Sequence, residues 1–259
     1  MIYASDLDGT LIFPQNFLSL HYCDDEIFAV EDGKDKSYMS RLVHNKLIEL
    51  SNVKNLRIVP VTMRSKYEYD KLSLKAFNIE YSITSNGGRI YKNNNILDSW
   101  KEEVQDNIDF IHQYRIMSRL TYSGYFRNIN IVDDSFIMAR RIGKSLEIEN
   151  EIINEILDTY KEYRLNLWYD KVYLIPDIVK KGNALNHLRK VLEEDVVMAC
   201  GDSDLDIDML EVADIKVVPD HTTISSDKLD SIGDVVTIGG GVLSPLYAFE
   251  MAKNYANTY

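Results

Sequence analysis

Apolar and polar positions along the chain fall into short alternating blocks. Ile2-Tyr3-Ala4 is an apolar run that stops at a cluster of Asp and Gly, the pattern of a buried strand feeding a loop. Residues 14–36 are irregular and acidic, and Asp32-Gly33 predicts a tight turn. Ser37 is placed as the N-cap of a helix whose apolar positions Met39, Leu42, Val43, Leu47 and Leu50 follow helical spacing. A strand over 57–61 ends at Thr62, a helix is predicted over 66–77, and a strand follows over 81–84. This β-α-β-α-β order implies a parallel sheet with helices on both faces.

Past Asn86-Gly87-Gly88 the texture changes. A hairpin about Asn93-Asn94-Asn95 leads into a helix to about Met117. Two alternating strands, 126–132 and 136–142, are joined by Asp133-Asp134. A helix over 146–163 and strands over 165–168 and 172–175 close the block at Pro176. From Lys181 the first texture returns: a helix to Leu192, an apolar strand over 196–199, strands over 215–218 and 235–238, and a last helix after Gly241. The reading is an α/β parallel-sheet core over 1–87 and 177–259, interrupted by an inserted α+β module over 88–176.

Composition narrows the function. The chain has 259 residues, 45% hydrophobic and 27% charged, which is ordinary globular composition. Its 29 basic and 41 acidic residues give a net charge of -12, which opposes broad binding to phosphate backbones, so no nucleic-acid partner is expected. Two cysteines, Cys23 and Cys200, cannot build a disulfide framework or a four-thiolate zinc site. With no basic, apolar leader and no run of about 18 apolar residues, a cytoplasmic protein without a membrane partner is expected. The five histidines, among them His21 and His221, show no ligand spacing.

The chemistry lies in two acidic clusters. Asp6-Leu7-Asp8-Gly9-Thr10 follows the first strand, where open α/β sheets place their sites. Residues two apart on extended chain point the same way, so Asp6 and Asp8 can address one ligand. Gly201-Asp202-Ser203-Asp204-Leu205-Asp206 follows another apolar strand, and a helical turn beginning at Asp202 would put Asp202 and Asp206 on one face. Asp204 and Asp208 are read as solvated acids of a helix's first turn. Crowded carboxylates repel unless a cation or a proton offsets them, and oxygen donors without His or Cys favour Mg²⁺. Thr62 at a strand end and Lys180-Lys181-Gly182 at a helix start could hold an anion.

Together, Asp6-Leu7-Asp8-Gly9-Thr10-Leu11, Thr62, Lys181-Gly182 and Gly201-Asp202-x-x-x-Asp206 resemble, in order, the four motifs of the haloacid dehalogenase (HAD) superfamily. The insert resembles the C2 cap of Cof-type and sucrose-phosphatase-like sugar phosphatases, with Asn86-Gly87 at the core-to-cap junction. The resemblance implies a Rossmann-like HAD core carrying a C2 cap. It also implies Mg²⁺-dependent hydrolysis of a small phosphate monoester, a sugar phosphate or similar metabolite, through an aspartyl phosphate. On it, Asp6 is the nucleophile, Asp8 the acid and base, and Thr62 and Lys181 hold the phosphoryl group, Lys181 being chosen over Lys180 for its Gly neighbour. Asp6, Asp8 through its carbonyl, and Asp202 would bind the metal, with Asp206 in support. Arg64, Asn86, Arg127, Arg140, Arg141, Trp168 and Lys171 are the residues to test for substrate contact. The chain departs from the usual motifs at Met63, where Gly is common, and at Leu205, where Asn is common. A sugar-phosphate mutase and a catalytically decayed binding protein are the alternative readings.

Overall fold

The computed structural model describes residues 1–20, 23–31, 36–74 and 77–258. His21 and the expected turn at Asp32-Gly33 lie outside the described residues. The central sheet has five strands in the order Val235–Ile238, Ile215–Pro219, Val197–Cys200, Ile2–Ser5, Arg57–Pro60, and every pair is parallel. Both faces are covered, as the near-continuous apolar strands require. Tyr3, Met198 and Val217 pack with Val43, Leu47 and Phe249 on one side. Ile2, Ala4, Val59, Val197 and Ala199 alternate onto the other side, against Leu185 and Leu188 of the helix Lys181–Leu192.

Register aligns the strand ends. Ser5 sits opposite both Cys200 and Pro60. Asp6, Asp202 and Thr62, one or two residues further on, therefore leave the sheet at the same carboxyl edge. The backbone continues the alignment: the Asp6 N–H donates to the Cys200 carbonyl at 2.9 Å, and the Val61 N–H to the Ser5 carbonyl at 2.8 Å.

Three expected helices differ. Ser37 belongs to a short strand, Ser37–Ser40, paired antiparallel with Phe13–Pro14 and Ile27–Ala29, so the helix begins later, at Arg41–Ser51. Ser40 is the cap: its hydroxyl accepts the Val43 N–H at 3.1 Å. The second helix spans only Lys66–Tyr69. Beyond it the Ser73 N–H donates to the Val30 carbonyl at 2.7 Å, so a neighbouring segment captures the backbone while Leu72 and Leu74 still reach the core. The predicted helix to Met117 is two helices, Asp98–Asp106 and Phe110–Ser123, the second capped by the Asp109 carboxylate.

A separate antiparallel sheet runs Tyr163–Trp168, Lys171–Pro176, Phe136–Arg141, Phe126–Val132. Ile137, Ala139, Val172 and Leu174 on one of its faces pack with Ile116 and Ile153 of the helices Phe110–Ser123 and Leu146–Thr159. Ile90, Trp100 and Val104 instead share the cluster beneath the parallel sheet. Among the described residues no helix is long and apolar enough to cross a membrane.

Candidate active site

At the carboxyl edge, one oxygen from each of Asp6, Asp202 and Asp206 lies within 4.8 Å of the others. Lys181 ties this group together from the start of its helix. Its Nζ donates to Asp6 Oδ1 and to Asp206 Oδ1, each at 2.6 Å, and the side chain is almost wholly buried. Asp206 has its second oxygen occupied too: Oδ2 accepts the N–H groups of Asp202 and Ser203 at 3.1 and 2.9 Å and the Ser203 hydroxyl at 3.0 Å. Asp206 thus holds the loop and Lys181 in place, while Asp6 keeps its second oxygen outside the Lys181 bond. The Thr10 hydroxyl donates to Asp202 Oδ1 at 2.9 Å.

The sequence around these side chains is shaped by close approach. Gly9 has φ +92°, and a Cβ there would stand 2.5 Å from Asp202 Oδ2, so only glycine lets the two acidic loops meet. The expected i, i+4 helical turn from Asp202 is a 3₁₀ turn, Asp204–Asp206, followed by the helix Ile207–Glu211. Leu205 packs against the core cluster, as does Met63, and the Ser203 hydroxyl donates to Asp206.

One ammonium against three carboxylates leaves two negative charges in excess. Burial pushes the Asp6 carboxyl well above the usual carboxylate range; Lys181 pulls it down, and Asp206, Asp202 and Asp8 push it further up. Burial and the charge of Asp206 raise Asp202 to about 7. Burial alone would lower the Lys181 ammonium, but Asp206 and Asp6 hold it above its ordinary range. The donor set suits a small, hard divalent cation: only carboxylate oxygens converge, and their unbalanced charge is what such an ion would offset.

Asp8 is placed differently from Asp6. Its side chain is half exposed, and Arg64 grips it with two bonds, Nε to Oδ2 and Nη2 to Oδ1, both 2.7 Å. Arg64 is itself held by Glu31 at 3.0 Å and by the Ser37 hydroxyl at 2.9 Å. Although burial opposes the charge, Asp8 and Glu31 keep the guanidinium above its ordinary range. Thr62 is buried, its hydroxyl accepting the Arg64 N–H at 3.1 Å.

The other expected residues divide. Asn86 is fully buried at φ 56°; its amide donates to the Val179 carbonyl at 3.2 Å, and Oδ1 has no partner. Arg127, Arg140, Lys171 and Trp168 share one face of the antiparallel sheet. Arg141 does not: its neighbour's face is the open one, and its own side chain bonds Asn150 on the helix side at 2.8 Å. Asp208, read as a solvated acid, instead accepts the Gly182 N–H at 2.9 Å and Arg164 Nη1 at 3.4 Å, joining the Lys181 helix to the antiparallel sheet. Asp204 is exposed and pairs with Lys228 at 2.7 Å. His221, given no role from sequence, lies with Nε2 2.7 Å from the Gly9 carbonyl. Its distance in sequence from the acidic motifs left no local signal.

The family of haloacid dehalogenase-like hydrolases matches residues 125–220. No curated protein matches the chain by sequence. Among solved structures, the chain is similar to the sucrose-phosphatase of Synechocystis sp. PCC6803 in complex with sucrose and phosphate, with a TM-score of 0.69 at 17% identity over 97% of each chain. It is similar to the HAD subclass IIB sugar phosphatase BT4131, with a TM-score of 0.64 at 14% identity over 96% of this chain and 99% of that one. A haloacid dehalogenase-like hydrolase from B. subtilis gives a TM-score of 0.65 at 17% identity over 97% and 98%. Such identities speak to fold alone. The chain shares the fold of these structures and, over residues 125–220, is similar to the haloacid dehalogenase-like hydrolases.

Proposed function

We propose that the protein is a cytoplasmic, magnesium-dependent phosphatase that hydrolyses a small phosphorylated metabolite, a sugar phosphate or a close analogue, through an aspartyl phosphate on Asp6. The single observation that carries this is the Lys181 bridge, which binds one oxygen of Asp6 and leaves the other outside that bond. The phosphatase relatives in complex with sucrose and phosphate or described as sugar phosphatases support the substrate class.

The free Asp6 oxygen attacks phosphorus while Lys181 and Thr62 hold the non-bridging oxygens. A phosphoryl group in flight is loosely bonded and anionic, so fixed positive charge and alignment matter most. The leaving oxygen takes the proton of a protonated Asp8, and Asp8, now a carboxylate, then takes a proton from the water that opens the aspartyl phosphate. Arg64 orients that carboxylate through both of its oxygens for the second step. For the first, the ion pair opens as the incoming phosphate competes for the guanidinium. Magnesium held by Asp6, the Asp8 carbonyl and Asp202, with Asp206 behind, would supply positive charge that lets phosphate approach a carboxylate.

Phosphate release from a panel of phosphorylated metabolites, with and without EDTA, tests the reading. Turnover of at least one ester that EDTA abolishes and magnesium restores is expected. No release from any ester with magnesium present would overturn it in favour of a binding protein.

A further inference from the structure

The open face of the antiparallel sheet carries a charge arrangement that sheet stability disfavours. Register puts Trp168 opposite Lys171, Lys171 opposite Arg140 and Arg140 opposite Arg127, one side chain from each strand in a single transverse row. Directly opposed residues share a face, and like charges there repel. The helices cover the other face, through Ile137, Ala139, Val172 and Leu174. Two or four residues along the same strands, the row's own face meets the core: Phe136 and Tyr173 pack into the core cluster, and Arg164 reaches Asp208 and the Val179 carbonyl. The row therefore looks toward the domain that carries Asp6.

Arg127 reaches the row only through an irregularity. Met138 pairs with Asn130, so an unbroken register would set Arg140 against Asn128 and turn Arg127 to the helix side. Instead the pairing slips by one residue, with Asn128 at φ 51°. Bulges of this kind re-aim side chains. Among the described residues Asp170 is the acid within ion-pair distance of the row, 2.6 Å from Arg140 and 3.6 Å from Arg127. Three cations and one carboxylate leave two positive charges, on a chain whose net charge is -12.

We propose that this row is a subsite for a second anionic group on the substrate, a carboxylate or a further phosphate carried by the leaving group, with Trp168 as the apolar wall at its end. The proposal rests on the phosphatase reading for the phosphate that is cleaved. It narrows the substrate to phosphate esters whose leaving group is itself an anion.

The test compares kcat/KM for glucose phosphate, phosphogluconate and glucose bisphosphate, whose leaving groups are neutral, carboxylated and phosphorylated. The protein is expected to favour one of the two anionic members over glucose phosphate by about tenfold or more, and which one it favours tells carboxylate from phosphate. The double variant Arg127→Gln/Lys171→Gln keeps the Arg140–Asp170 pair and removes the excess charge, so the preference should fall to about parity, while Lys171→Arg keeps it. An equal ratio in parent and double variant, or a parent that prefers glucose phosphate, overturns the subsite. If none of the three is hydrolysed although other esters are, melting-temperature shifts with phosphogluconate and with glucose bisphosphate decide it. A larger shift in the parent than in the double variant with either one supports the subsite, and equal shifts with both reject it. Failure of the phosphatase reading is a different result, the absence of release from every ester.

Discussion

Three carboxylates and one ammonium meet behind Gly9, while three cations and one carboxylate stand in a row across the antiparallel sheet. Each group leaves two charges uncompensated, of opposite sign, yet the environments differ. Asp6, Asp206 and Lys181 are buried, and Asp202 nearly so, in surroundings where unbalanced charge is expensive and shows as raised carboxyl affinities for protons. Arg127 and Trp168 are more than half exposed, so water screens the cationic row and the sheet bears it at small cost. The difference separates roles: the buried excess calls for a cation at a fixed point, whereas the exposed excess is free to receive an anion of variable shape.

The largest effect is expected from breaking the buried group. Lys181→Met leaves Asp6 and Asp206 without their shared partner, at a cost of about 3–5 kcal/mol, read as a lower urea midpoint. The loss should shrink in acid, where the orphaned carboxyls take up protons, and no phosphate release should remain. A midpoint unchanged at neutral pH would mean that the bridge is not what balances the cluster.

A smaller effect sharpens the same point. Asp202 holds its proton up to about 7, whereas in the unfolded chain it has the ordinary value near 3.8. Between those values the folded protein binds more protons than the unfolded one, so metal-free stability falls as pH rises through that window. At most this amounts to about 1.4 kcal/mol per pH unit. Magnesium should raise the melting temperature more at the upper end of the window than at the lower end. Asp202→Asn should reduce both trends and leave the part that the raised Asp6 carboxyl carries, and a slope unchanged in the variant would assign it elsewhere.

The smallest effect lies where the two regions join. Arg164→Gln removes the bonds to Asp208 and the Val179 carbonyl, at about 1 kcal/mol. Thermal melting should register it, and amide exchange should rise at Gly182 and along the strand Tyr163–Trp168. Unchanged exchange there would show that this contact does not couple the antiparallel sheet to the helix Lys181–Leu192.

The parts legible in sequence were those that short-range chemistry determines. An apolar run ending in Asp marks a strand edge, so Asp6, Asp202 and Thr62 could be assigned to one side of the sheet before any coordinates. What stayed hidden depends on distant pairing. Arg64 meets Asp8 through a segment at Glu31 and Ser37 that the sequence marked as irregular or as a helix cap. Asp208 looked like a solvated helix acid because its partners, Gly182 and Arg164, come from elsewhere in the chain. Arg140 and Arg141 are neighbours with opposite fates, and only the pairing of Arg140 with Lys171 tells which of them shares the open face.

The central claim is that Asp6 attacks phosphorus. Rapid acid quench of the protein with a turning-over ester, followed by mass measurement of the peptide that contains Asp6, tests it most directly. The account predicts a gain of one phosphoryl group on Asp6 in the parent protein and none in Asp6→Asn, which should also release no phosphate. A phosphoryl group found on another residue, or steady turnover by Asp6→Asn, would contradict it.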